Sequence, residues 1–202
     1  MRKSVLAILG VLALTSRVAA AQSTTPGAPL VVLSEAKQIA AATLPLPEEF
    51  RDSATVLGYR ASGALETLRE GKGAFTCLAS DPKLERFHVA CYHRSLEPFM
   101  ARGRQLRVEG VRGDQIDSVR FAEVRSGRLS FPTAPAMLYS ITGDAGSYDS
   151  ATGTIKGRAL FVVYVKDATA ATTGLPAQPS PGTPWIMHPG TIKAHIMFVP
   201  TM

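Results

Sequence analysis

The sequence lacks the motifs that would name a reaction. It has no G-x-S-x-G nucleophile elbow, no H-E-x-x-H helix and no phosphate-binding loop; its glycine-rich stretches sit between strand-like segments. No internal repeat is present. Past the N-terminus, no apolar run is long enough to cross a membrane, so stable insertion is not expected. Cysteine is scarce, with two residues, and histidine numbers four, which limits any metal centre built from these donors. Charge of one sign is also in short supply. The formal net charge is +6, but three of those charges (Arg2, Lys3 and Arg17) fall in the first 21 residues. The remainder is too weak and too scattered for nucleic-acid binding.

What is present begins with an export signal. Met1-Arg2-Lys3-Ser4 is cationic, Val5 to Leu14 is uncharged and apolar, and Val18-Ala19-Ala20-Ala21-Gln22 is small-residue rich. Ten apolar residues span only about 15 Å of helix, too short for a bilayer. Residues 1–21 therefore read as a cleaved signal peptide, with Ala19 and Ala21 at the −3 and −1 positions. No cysteine lies near the cleavage point, which argues against a lipid anchor. The expected destination is the periplasm or the extracellular space. In such an oxidising compartment Cys77 and Cys91 are expected to form a disulfide. It would close a loop of about 15 residues, worth ~3 kcal/mol on a chain-entropy account.

Residues 22–33 read as a loose leader, and 34–202 as one α+β domain. Ser34 can cap a short alanine-rich helix over 35–43, and Pro47-Glu48-Glu49 can start one more turn. The period then changes to two. Strands are predicted over 54–59, 65–69 and 74–79, with Glu70-Gly71-Lys72-Gly73 as a tight turn in an antiparallel meander. Helices are predicted from 96 to about 109 and from 115 to 125. The first would face inward with Phe99, Met100, Gly103 and Leu106 and outward with Arg102, Arg104 and Arg107. In the second, Ile116, Val119 and Glu123 recur at helical spacing, with Phe121 and Val124 alongside. Strands follow at 136–142, 159–165 and 194–199, with 159–165 expected to be central and covered on both sides. A Pro/Thr-rich loop fills 168–184. The sum is an antiparallel sheet with two or three helices and one disulfide.

Several segments together resemble a widespread group of exported bacterial proteins of unknown function. They are ATVLGY at 54–59, LREGKGAFTCL at 68–78, Cys91, MARGRQLR at 100–107, PAMLYSI at 135–141 and HIM at 195–197. The group's pattern has an acid two positions after the second cysteine, where His93 stands here. It also has proline before the final histidine, where this chain has Ala194. The resemblance implies an exported, disulfide-bearing domain and no particular activity.

Three functional expectations follow. The first is a non-catalytic binding or interaction protein without a cofactor, its partner unspecified. The second is a periplasmic copper-binding protein. His195 and Met197 are two apart and share a face of a strand, and Met187 and His188 lie just upstream. Thioether with imidazole suits Cu(I). The third is an enzyme with a pocket joining Glu70, Tyr139 and His195. His88, Cys91 and His93 form one further cluster, in which Cys91 and His93 share a face while His88 points away. With Cys91 oxidised, no zinc site of ordinary composition remains there.

Overall fold

The computed structural model describes residues 31–179 and 182–200. The predicted signal peptide and most of the leader lie outside them. The described residues form α1 (Glu35–Thr43), α2 (Glu48–Arg51), β1 (Thr55–Tyr59), β2 (Leu65–Arg69), β3 (Phe75–Leu78) and β4 (Arg86–His93). A 3-10 turn at Arg94–Leu96 leads into α3 (Glu97–Val108) and α4 (Gln115–Arg125). Then come β5 (Ala136–Asp144), β6 (Tyr148–Asp149), β7 (Thr154–Ile155) and β8 (Arg158–Tyr164). The chain closes with α5 (Ala170–Thr173), β9 (Trp185–Met187) and β10 (His195–Phe198).

Eight strands make one sheet in the order β2-β1-β3-β4-β5-β8-β10-β9, and β6 with β7 forms a small ear between β5 and β8. The class is α+β, with a larger sheet than expected and five short or medium α-helices among the described residues. The expectation of a purely antiparallel sheet is corrected, because β1 and β3 run parallel. The meander fails at residues 70–73, which cross the end of β1 and set β3 on its far side instead of beside β2. There the chain runs so close to Ser53 and Ala54 that a Cβ on Gly71 would sit 2.3 Å from their backbone. Gly73 donates its N–H to the Ser53 carbonyl at 2.7 Å. Both glycines serve this close approach.

Alternation along the strands gives the sheet two faces. On one, α1 lays Ala41 and Ala42 flat against Val56, Cys77, Val89 and Cys91, all fully buried or nearly so. Cys77 and Cys91 are direct cross-strand partners on β3 and β4 and are joined in a disulfide. The Cys91 sulfur, which carries no proton in the disulfide, rests 3.1 Å from the Ala42 carbonyl oxygen. On the other face, Leu96, Met100 and Phe131 pack on Tyr92, Ala136, Val162 and Tyr164. Each fully buried Leu, Ile or Phe in such a core contributes ~1.5–3 kcal/mol.

The helix connection between β4 and β5 corrects one further expectation. Arg102 and Arg104 do not face solvent. The Arg102 guanidinium grips the Glu123 carboxylate of α4 through Nε at 2.9 Å and Nη2 at 2.9 Å, and Arg104 joins Glu97 and the Tyr92 hydroxyl. On α4 the buried residues are Ile116 and Arg120, while Val119 and Glu123 are half-buried. Arg120 lies over the Phe99 ring at 3.8 Å, donates to the Phe99 carbonyl at 3.1 Å and pairs with Asp117. A flat guanidinium over an aromatic face explains why a charge occupies the inner stripe.

β8 is interior but not central; β4 and β5 hold the middle of the sheet. The predicted loop over 168–184 contains α5, which Thr169 caps in a reciprocal box and Gly174 ends in a left-handed conformation.

Candidate functional site

A cavity of about 260 Å³ opens where the N-terminal segment, α1, the β3–β4 connection and the ear meet. Its walls come from Leu33, Ala41, Leu84, Phe87 and Tyr148, with Asp81, Arg86 and Ser150 among its polar residues. Gln38 sets the position of the first wall. Its buried side-chain amide donates to the Leu33 carbonyl at 2.8 Å and the Tyr59 carbonyl at 2.9 Å, and its Oε1 accepts from the Tyr59 N–H at 2.8 Å. The Phe87 and Tyr148 rings stack at 5.4 Å, which fixes the ear against β4. Tyr148 keeps its proton well into the alkaline range because burial and the neighbouring Asp149 disfavour the phenolate. The cavity is thus a preformed, mixed apolar and polar recess. Sequence reasoning missed it, since its residues come from well-separated segments that share no periodic pattern. The one local signal was Gln38, a polar residue on the inner side of α1.

The donors expected near the C-terminus do come together. β10 pairs antiparallel with β9, with His195 opposite Met187 and Met197 opposite Trp185. All four therefore share the face that carries Tyr164, which lies opposite His195 on β8. His195 is buried, and its Nδ1 lies 2.7 Å from the Lys193 carbonyl oxygen, an acceptor. That contact puts the proton on Nδ1 and leaves the Nε2 lone pair free. Burial pushes the His195 pKa down to about 4, against the opposing pull of the Lys193 carbonyl; His188 and Lys193 lower it further. The imidazole is neutral at ordinary pH. The His188 ring lies 5.6 Å from that of His195. Among the described residues, no group of three or more His, Cys, Asp or Glu could hold a metal ion.

The other expected constellations do not assemble. Tyr139 packs edge-on against Phe161 on the α1 face, while His195 lies on the opposite face with Tyr164. Glu70 follows β2 at one edge of the sheet, and β10 is next to the other edge, a span of roughly 29 Å at strand spacing. No single cleft joins these three residues. His88 and His93 are engaged separately: His88 Nδ1 lies 2.8 Å from Thr142 Oγ1, and His93 Nδ1 lies 2.8 Å from Ser95 Oγ. Cys91 and His93 share a face and His88 takes the other, as the strand period predicts.

Comparison with protein-family models, with curated proteins and with solved structures returns no match.

Proposed function

We propose that this chain is an exported binding protein that holds a small apolar or amphipathic ligand in the recess between α1, β4 and the ear. The carrying observation is the cavity itself: about 260 Å³, walled by Leu33, Ala41, Leu84, Phe87 and Tyr148, and flanked by polar residues that would orient a ligand's wet end. Its size suits a fragment-sized molecule or the end of a longer one. Its walls are held by hydrogen bonds of Gln38 and by ring stacking, so little ordering cost would fall on binding. Export is supported by the cationic and apolar N-terminus and by a disulfide that an oxidising space would preserve. No helix of the described residues is long and apolar enough to cross a membrane. Binding is placed ahead of catalysis because Glu70, Tyr139 and His195 lie apart.

The test is a fluorescence titration with N-phenyl-1-naphthylamine, an apolar reporter dye. Ala145 is exposed at the mouth of the recess, so Ala145→Trp would fill it without disturbing the core. Saturable binding is expected in the native chain, weakened at least tenfold in Ala145→Trp. Non-saturating fluorescence, or equal binding by both proteins, would overturn the proposal.

A further inference from the structure

We propose that Met187, His188, His195 and Met197 form a binding site for a soft monovalent cation, Cu(I) or Ag(I), at the β9–β10 edge of the sheet. It is a second site, on the sheet face opposite α1, and does not depend on the recess.

The strand register carries the first part of the case. Met187 lies directly across from His195, and Met197 is two residues further along β10, so all three side chains leave one face of adjacent strands. Opposed Cβ atoms in such a pair are ~5 Å apart and diagonal ones ~7–8 Å, within reach of two flexible thioethers converging on one point.

The fourth donor arrives by a route that strand alternation forbids. His188 follows Met187 and would point to the other face if β9 continued. Instead its φ is +50°, a left-handed conformation uncommon outside glycine, and the ring turns back beside His195. The strain is held by the loop that follows: the His188 carbonyl accepts from the Thr191 hydroxyl at 2.8 Å. The resulting 5.6 Å between ring centres is the spacing two imidazoles adopt on one ion. A metal–nitrogen bond of ~2.0–2.1 Å puts each ring centre ~3.2 Å from the metal, and ligand angles of ~100–130° then separate the centres by roughly 5–6 Å.

The chemistry of the donor set selects the ion. Hydrogen bonding of His195 Nδ1 to the Lys193 carbonyl aims Nε2 as the ligand, the usual supporting contact of a metal-bound histidine. The nearby Lys193 ammonium is held by Asp117 at 2.7 Å. Two nitrogens and two thioethers, with no carboxylate or thiolate, suit a soft ion and poorly satisfy zinc, calcium or magnesium. His188 is exposed and the methionines are half-buried, which leaves the ion a way in from the sheet edge.

Trp185, the single tryptophan, lies opposite Met197 on the same face and reports on the site. The experiment titrates the purified exported chain with Ag(I) while following Trp185 emission, and repeats the measurement as a Cu(I) competition against bathocuproine disulfonate. Saturation at one ion per chain with a change in Trp185 emission is expected. Affinity should fall at least tenfold in Met187→Leu, in Met197→Leu and in His188→Gly. The leucines preserve volume and the glycine accepts the positive φ, so folding is retained and circular dichroism checks it. Absence of saturable binding, equal affinity in either leucine variant, or Zn(II) binding as tightly as Cu(I) would overturn the site. Full affinity in His188→Gly alone would overturn the four-donor arrangement.

Discussion

His88 and His195 are partly or fully buried imidazoles whose neutral forms the fold prefers. For His88 the cause is burial, reinforced by Arg86; for His195 the folded value drops to about 4. An unfolded histidine titrates near ~6.5. Below that pH the unfolded chain takes up protons that the folded chain refuses, so the stability present above ~6.5 is lost as pH falls toward the folded values. Urea unfolding in the presence of a chelator should therefore show the midpoint dropping from pH 7 to pH 4.5. His88→Gln should flatten part of that slope; an unchanged slope in the variant would refute the assignment. Other single residues show where local patterns mislead. Arg120 occupies an inward position because Phe99 offers both a ring face and a carbonyl. Nothing in the spacing of α4 announces that partner. Arg102 reads as a surface charge until α4 brings Glu123 alongside, and the guanidinium then lowers the Glu123 pKa.

At the scale of elements, the spans of α1 and α4 match the sequence prediction, and α3 differs only at its ends. Each of these helices depends on neighbours within a turn or two, which a short window of sequence contains. Connections were harder to read. Gly71 and Gly73 suit a tight turn and a close backbone crossing equally well, and only the location of β3 beyond β1 separates the two. Gly71→Ala tests the crossing. Its Cβ would meet Ala54 and Ser53 backbone atoms at 2.3 Å, and backbone cannot swing aside as a side chain can. A loss of ~2–3 kcal/mol or more in chemical denaturation is expected, in the upper range for overpacked sites. A loss below ~0.5 kcal/mol would show that residues 70–73 do not cross as described.

For the whole molecule, the disulfide joins β3 to β4 near the middle of the sheet, under α1. Reduction, or the Cys77→Ala, Cys91→Ala double variant, is expected to cost ~2–4 kcal/mol in a urea melt. Under the proposed export, the mature protein's intact mass should match a chain beginning at Gln22 and show no alkylation before reduction; a free thiol or a retained leader would contradict that proposal. The sequence by itself determined the cysteine pairing, because two cysteines in one chain have a single way to join. It also determined the spans of α1 and α4 and the side of β4 to which each of His88, Cys91 and His93 points, since these follow from periods of a few residues. Tertiary structure alone decided the strand order, the parallel β1–β3 pair, the separation of Tyr139 from His195 and the return of His188 beside His195. Those outcomes depend on which distant segments pair and on one left-handed backbone turn. Long-range pairing is settled by burial summed over the whole sheet, which no local stretch of residues encodes.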